Sequence, residues 1–213
     1  RDRPGAAALA DRYAEVNSIE ATFNDLFIPT LAFAQEELDR GRITKINDNF
    51  IKDTTREMIV RIGDRAAEVN ASSPRVVASS VAGERLSLGT LMLTQLLRAE
   101  GYRADFLTDL DGEEVVSYVE QATPVAVFVS CSRKANLEAG YALLGLLAAR
   151  FPGLFVIAGG SAFSADEAKT LSAGASYVPH ALTSAKDEIL RELRRSRRRT
   201  GRTIINNPST VTT

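Results

Sequence analysis

Three short segments and one histidine in this chain are suited to contacting a small ligand. The loop 83–89, with the sequence GERLSLG, follows an apolar run and precedes residues with helical spacing. Ser130-Cys131-Ser132 and Gly159-Gly160 each follow another apolar run, and His180 follows a further one. Hydroxyl groups and glycine backbone can contact a ligand closely, and an imidazole can bind a metal or titrate near neutral pH. These residues predict a binding site.

The elements that must position these segments alternate between strands and helices after residue 73. A parallel sheet collects the carboxyl ends of its strands at one edge, which is where open α/β sheets bind ligands. Five βα units predict a flavodoxin-like, five-stranded parallel sheet with helices on both faces, over residues 73–195. We predict strands at 75–81, 104–107, 125–130, 154–158 and 176–178, and helices at 90–100, 113–121, 137–150, 165–172 and 184–195.

Residues 1–72 contain helical patterns only and predict a small helical bundle. The first helix covers residues 5–16, and Ser18 is a candidate N-cap for the second. Pro29 predicts a kink or a break in that second helix. Thr44 or Asn47 could begin a further helix, and the composition of residues 70–74 indicates a linker.

Composition narrows the class of protein. A hydrophobic content of 45% and a charged content of 25% are average for globular proteins, and a net charge of −1 gives no overall attraction to nucleic acid or membrane. No apolar run has the length of a membrane span, and the single cysteine, Cys131, suits the reducing cytoplasm. The chain has no signal-peptide pattern, and it begins at Arg1 without a Met, so an upstream module could be missing. We expect the basic tail 196–213 to be disordered.

The α/β segment resembles the cobalamin (B12)-binding domain family. That family carries Asp-x-His-x-x-Gly in the first loop, and its histidine ligates cobalt from below. Aligned on Gly89, this chain has Glu84 in place of the aspartate and Leu86 in place of the histidine. The family also has a Ser-x-Ser/Thr/Leu segment lining the pocket for the nucleotide tail, and a Gly-Gly pair against which the tail packs. The resemblance implies cofactor-binding roles for residues of all three segments: Gly83, Leu86, Ser87, Gly89, Ser130, Ser132, Gly159 and Gly160.

The helical half resembles the bundle that caps the corrinoid in methionine-synthase-like proteins and in B12-dependent photoreceptor regulators. The regulators carry a Trp three residues before a glycine that matches Gly41, and a Glu-His pair after it. This chain has Leu38 at the Trp position and Asp48-Asn49 at the positions of the pair. The resemblance therefore implies a frame in which the ligands on both faces of the corrinoid are replaced, at Leu38, Asn49 and Leu86.

These observations favour a regulatory or sensor module over an enzyme. The sequence has no Ser-His-Asp set, Walker loop or dinucleotide-binding glycine motif. We expect side chains such as Leu38, Asn49 and Leu86 to fill the gap between the domains. The module would then bind little or no corrinoid and no metal, and would act in signalling or transcription regulation.

Its expected partners are regulatory proteins and a second copy of the chain. Nucleic acid would be contacted only through a partner, an absent module or the basic tail, and no membrane is expected. The alternative is a tetrapyrrole sensor that binds cobalamin with its own base on cobalt, or haem, between the domains. His180 could ligate a metal, act as a pH switch or be an ordinary loop residue.

Overall fold

The N-terminal region is a set of helices with conventional caps. A computed structural model of the chain describes residues 2–84 and 87–205, with side chains as far as residue 195. The side chains of Asp2, Ser18 and Thr44 each accept a hydrogen bond from a backbone N–H in the first helical turn that follows. The Ser18 cap is confirmed, and Thr44 rather than Asn47 begins the later helix. The helices are α1 (Arg3–Val16), α2 (Ile19–Ala21), α3 (Ile28–Asp39) and α4 (Lys45–Ala66).

Pro29 does not break the second helical stretch. It is the second residue of α3, where the missing N–H of proline is tolerated. A π-helical stretch, Thr22–Phe27, joins α2 to α3 immediately before it. The chain thus accommodates Pro29 by widening the preceding turns, which is a recognised local adjustment in helices.

The second region is a parallel sheet covered by helices, so the predicted α/β fold is confirmed. The strands are β1 (Arg75–Ser80), β2 (Arg103–Leu107), β3 (Ala126–Ser130) and β4 (Phe155–Gly159). The strand order is β2-β1-β3-β4, and each neighbouring pair is parallel. The helices are α5 (Leu88–Ala99), α6 (Gly112–Ala122), α7 (Leu137–Arg150), α8 (Ser161–Ser164), α9 (Glu167–Ser172) and α10 (Leu182–Ile205). A short 3₁₀ helix, Lys134–Asn136, precedes α7.

The described residues form four strands rather than the five predicted. The segment at 176–178 lies beside β4 through one parallel bridge, between Ile157 and Tyr177. Two backbone hydrogen bonds flank that bridge, from Ser176 N to Val156 O (2.7 Å) and from Ala158 N to Tyr177 O (3.0 Å). Pro179 follows at once and has no N–H to continue a ladder. The fifth segment therefore ends before it forms a strand, although it occupies the predicted place.

The last helix is longer than predicted. It extends to Ile205 instead of ending at residue 195, so the backbone of residues 196–205 is helical where disorder was expected. Residues 206–213 lie outside the described part of the chain. Within the part that is described, no helix has both the length and the apolar content needed to cross a bilayer.

Helix α5 connects the two regions. On its sheet-facing side, Leu93 and Leu97 pack with Val76 and Ile189 in the core between the sheet and α10. Its other side contributes to the core of the bundle, whose members are Ala10, Phe23, Phe27, Met58, Ile59, Ile62, Leu88, Leu91, Met92 and Leu96. The bundle therefore packs on α5 as well as facing the edge of the sheet.

A glycine sets how closely α4 approaches α5. A Cβ atom at Gly63 would lie 2.5 Å from Cγ of Gln95, whose side chain donates a 3.2 Å hydrogen bond to Asp64. Gln95 is 1% exposed, so its side chain has little room to move. The contact between the two regions therefore requires a residue without a side chain at position 63.

We predict that Gly63→Ala destabilises the protein, although alanine favours a helix over glycine. Overpacking of a buried contact costs about 1–3 kcal/mol, which exceeds the gain in helix propensity of up to about 1 kcal/mol. Urea unfolding measures the change. Gly145→Ala is the matched control, because position 145 is exposed on α7. The atom nearest to the added Cβ there would be the carbonyl oxygen of Ala173, at 3.9 Å. Equal or greater stability of Gly63→Ala relative to the unmutated chain would contradict this account.

Candidate functional site

A cavity of about 1590 Å³ lies between the bundle and the carboxyl edge of the sheet. Ile28, Asn49 and Lys52 line it from α3 and α4. The opposite wall consists of the loops that follow β1, β3 and β4, together with the segment that leads into α10. This is the edge at which the sequence predicted a ligand site.

Most of the predicted site residues line this cavity: Asn49, Gly83, Ser87, Gly89, Ser130, Ser132, Gly159 and Gly160. Leu38 is half-buried on α3 and does not line it. Leu86 lies outside the described residues, so the structure says nothing of its role. The expectation that side chains fill the gap is wrong for the described residues, because serines and glycines at the strand ends leave space.

A hydroxyl cluster joins the start of α5 to the end of β3. Ser87 Oγ lies 2.6 Å from Oγ1 of Thr90 and donates a 3.3 Å hydrogen bond to Oγ of Ser130. All three residues line the cavity and are buried from bulk water. Thr90 was not among the predicted residues, and its spacing of three from Ser87 on a helix was the available signal. These hydroxyls have both donor and acceptor capacity to offer a ligand.

Glu84 organises the loop that follows β3. Its carboxylate accepts hydrogen bonds from the backbone N–H groups of Ser132 and Arg133, both at 2.9 Å, and from Nδ2 of Asn136 at 3.2 Å. The residue is 7% exposed. Its negative charge is thus taken up by donors of the protein, and it holds Ser132 in place at the cavity wall. The sequence indicated position 84 only as the counterpart of a family aspartate.

Cys131 is a packing residue of this loop. It is completely buried, and burial together with the nearby charge of Glu84 raises the pKa of its thiol to about 12. Its Sγ lies 3.5 Å from the carbonyl oxygen of Arg133. The thiol is therefore protonated at neutral pH, and it does not supply a nucleophile to the cavity.

Packing accounts for the Gly159-Gly160 pair. A Cβ atom at Gly159 would lie 2.5 Å from Cζ of Phe128. Gly160 has a φ of +96°, and a Cβ atom there would lie 2.4 Å from the carbonyl oxygen of Cys131. Both positions therefore exclude larger residues, one by a neighbouring ring and the other by its backbone. Both still expose backbone to the cavity.

A buried carboxylate holds two lysines at the bundle side of the cavity. Asp48 is completely buried, and its oxygens lie 2.6 Å from Nζ of Lys45 and 2.9 Å from Nζ of Lys52. Burial raises the pKa of Asp48, but the hydrogen bonds and positive charges of the two lysines outweigh it and leave the pKa below its usual value. Both lysines line the cavity, and neither was predicted from the sequence.

His180 also lines the cavity, beyond Pro179 and before α10. Its side chain is 67% exposed, and its Nε2 atom lies 3.2 Å from a carboxylate oxygen of Glu167. Among the residues that the structure describes, no three His, Cys, Asp or Glu side chains form a group that could hold a metal ion. The polar groups that the described residues place on the wall include the imidazole of His180, the cations Lys45, Lys52 and Arg133, and a set of amide, hydroxyl and backbone groups.

Comparisons with known proteins identify a family and similar structures for this chain. A family model described as the B12 binding domain matches residues 74–196. The monomethylamine corrinoid protein of Methanosarcina barkeri has a similar structure, with a TM-score of 0.74, 13% identity, and coverage of 89% of this chain and 95% of that chain. A search of the curated proteins found no match.

Two further solved structures share the fold. A cobalamin-binding protein from Desulfitobacterium hafniense has a TM-score of 0.52 and 17% identity, over 90% of this chain and 92% of that chain. The methanol:cobalamin methyltransferase complex of Methanosarcina barkeri has a TM-score of 0.52 and 20% identity, over 81% of this chain and 67% of that chain. At these identities the likeness concerns the fold alone.

We predict that Asp48→Asn lowers stability at neutral pH by about 1.5–3 kcal/mol, the usual range for hydrogen bonds to a charged group. An aspartate whose pKa is lower in the folded state stabilises the protein above its unfolded pKa of about 3.9. That contribution is lost as the pH falls through the folded value. The two proteins should therefore differ in urea unfolding at pH 7, and the difference should shrink as the pH falls below about 3.9.

Asp53→Asn is the control for this experiment, because Asp53 is exposed on the same helix. The free energy of unfolding of Asp53→Asn should equal that of the unmutated chain at every pH. A difference between Asp48→Asn and the unmutated chain that stays constant down to acidic pH would contradict the ion-pair account.

Proposed function

The chain belongs to the B12-binding domain family, and from this premise we propose that it binds a corrinoid in the cavity between the bundle and the sheet. We propose further that it works as a regulatory or sensor module. The observation that carries the first proposal is the cavity itself, which has about 1590 Å³ of space at the ligand-binding edge of a parallel sheet.

The residues on the wall suit the periphery of such a ligand. Ser130 and Ser132 supply hydroxyl groups at the end of β3, and Asn49 supplies an amide from α4. Amide side chains around a corrin ring need donors and acceptors of this kind. Gly89 faces open space, because no atom lies within 4 Å of the position that its Cβ would take. These features support a cradle for a large polar-edged ring.

Coordination of the cobalt would differ from the family pattern. The loop position that carries histidine in the family holds Leu86, and the bundle position holds Asn49. We therefore propose that the corrinoid keeps its own base on cobalt. The corrinoid would supply light-sensitive or redox-sensitive chemistry at its metal. The chain would hold it, shield it from water and pass its state to a partner through the contact between the bundle and α5.

Haem is a second candidate, favoured by the charges on the wall. Lys45 and Lys52 line the cavity from the bundle, and Arg133 lines it from the loop after β3. The carboxylate of Glu84 is already bound by three donors of the protein. A cavity with three cationic side chains on its wall, two of them held by Asp48, suits the two propionates of a haem.

The regulatory role rests on the absence of enzyme motifs from the sequence. A regulatory protein that reads the ligand state, or a second copy of this chain, is the proposed partner. Nucleic acid would be reached through that partner or through the basic segment after residue 190.

We predict that the purified chain binds hydroxocobalamin or haemin with a dissociation constant near or below about 1 μM. Isothermal titration measures the affinity, and the absorption spectrum of the desalted complex identifies the ligand that is retained. Binding of haemin but not of hydroxocobalamin would favour the second candidate. Failure of both to bind, at concentrations up to about 100 μM, would refute the proposed function.

We predict that Gly89→Leu weakens ligand binding by at least about tenfold without destabilising the fold. The new side chain would project into the cavity from the first turn of α5, and leucine is a better helix former than glycine. Gly145→Leu, on an exposed face of α7, is the control and should leave binding unchanged. Unchanged affinity of Gly89→Leu would place the ligand elsewhere.

A further inference from the structure

We infer that Phe128 determines which tetrapyrroles this cavity accepts, because its ring fills the groove beside Gly159 where a nucleotide tail would have to enter. The inference rests on the proposed function and concerns the same cavity. It assigns a specificity role to a residue of β3 that faces the core between the sheet and α10.

The register of the sheet places the ring over the glycine. Phe128 pairs with Ile157, and Ser130 pairs with Gly159, so these four positions point to one face of the sheet. Cζ and Cε2 of Phe128 lie 2.5 Å and 2.7 Å from the position that a Cβ atom of Gly159 would take. Pro179 closes the same spot from the other side, with its Cγ 3.6 Å from that position.

The ring of Phe128 is also packed in the core between the sheet and α10. Phe128 is 6% exposed and belongs to the core cluster that contains Ile157 of β4 and Ala185 and Ile189 of α10. Moving the ring out of the groove would expose it to water and open a void against α10, and both changes are unfavourable. The groove is therefore closed by a packed side chain and not by a mobile one.

The neighbouring glycine offers no alternative entrance. The backbone of Gly160 lies against the carbonyl oxygen of Cys131, which accepts a 3.1 Å hydrogen bond from Ala162 N. Phe128 thus takes the space beside Gly159 on the side of the sheet that faces α10, and main chain takes the space at Gly160, while the backbone of both glycines still lines the cavity. A ligand must lie above this floor, with its ring between the bundle and the strand ends.

This arrangement gives a discriminating test with two corrinoids. Cobinamide is a corrinoid that lacks the nucleotide tail of cobalamin. In the unmutated chain, we expect the two dissociation constants to agree within about threefold, because the tail gains no contacts in the groove. We also expect the electron paramagnetic resonance spectrum of the Co(II) cobalamin complex to show coupling to the nitrogen of the ligand's own base.

The single histidine makes that spectrum unambiguous. His180 is the one imidazole source in the sequence, so a chain labelled with nitrogen-15 histidine separates its coupling from that of the base. Coupling to the labelled nitrogen in the cobalamin complex would mean that the base had left the cobalt, and it would overturn the inference.

Removing the ring should open the groove. We expect Phe128→Ala to bind cobalamin at least about tenfold more tightly than cobinamide, because the tail can then enter beside Gly159. Phe128→Leu, which keeps more of the core, serves if the alanine variant does not fold, and should shift the ratio in the same direction. Leu144→Ala is the control, because Leu144 is completely buried on the opposite face of the sheet. Its ratio should remain that of the unmutated chain.

The outcomes separate the inference from the proposed function. If the unmutated chain binds cobalamin more than about tenfold more tightly than cobinamide, the groove is open and the inference is wrong, while corrinoid binding stands. An unchanged ratio in both Phe128 variants would likewise overturn the role of the ring. If neither corrinoid binds to any variant, corrinoid binding itself fails, and the inference fails with it.

Discussion

The burial of α5 on two sides is the constraint on which the site depends. Leu93 and Leu97 belong to the core of the sheet, whereas Leu91, Met92 and Leu96 belong to the core of the bundle. One helix therefore sets the distance between the bundle and the strand ends. The close approach of α4 at Gly63 fixes that distance further. The cavity exists because the two cores meet along α5 and leave the edge of the sheet uncovered.

Two buried carboxylates shape the walls of the cavity from opposite sides. Glu84 accepts hydrogen bonds from backbone N–H groups of the loop after β3, and Asp48 forms ion pairs with Lys45 and Lys52 on the bundle. A buried carboxylate is tolerated only when such donors surround it. In both cases hydrogen-bond donors of the protein bind the carboxylate, and the cationic side chains of Lys45, Lys52 and Arg133 line the cavity. The site is consequently suited to a ligand with acceptor or acidic groups at its rim.

Much of the architecture follows from local patterns. Alternating apolar runs and helical spacing determine a parallel α/β sheet after residue 73, because period and length separate buried strands from amphipathic helices. The strand ends at Ser130 and Gly159 could be placed in the site from the sequence, since parallel strands end at one edge. The fifth segment was harder to judge, because a three-residue run before Pro179 has strand composition without the length for a ladder.

Tertiary structure decided what those residues do. The sequence by itself determined that small and hydroxylic residues stand at the strand ends. The resemblance implies that Leu86 replaces the histidine of the B12-binding loop, and that Asn49 replaces a histidine of the photoreceptor regulators. Whether the gap was filled depended on how far the bundle stands from the sheet, which is a long-range distance set through α5. The role of Glu84 depends on the loop after β3, which is distant in sequence, and that of Phe128 depends on Gly159 of the neighbouring strand. The role of Asp48 depends on two lysines in adjacent turns of its own helix. Local sequence patterns do not predict those contacts, because tertiary packing sets the distances between the residues.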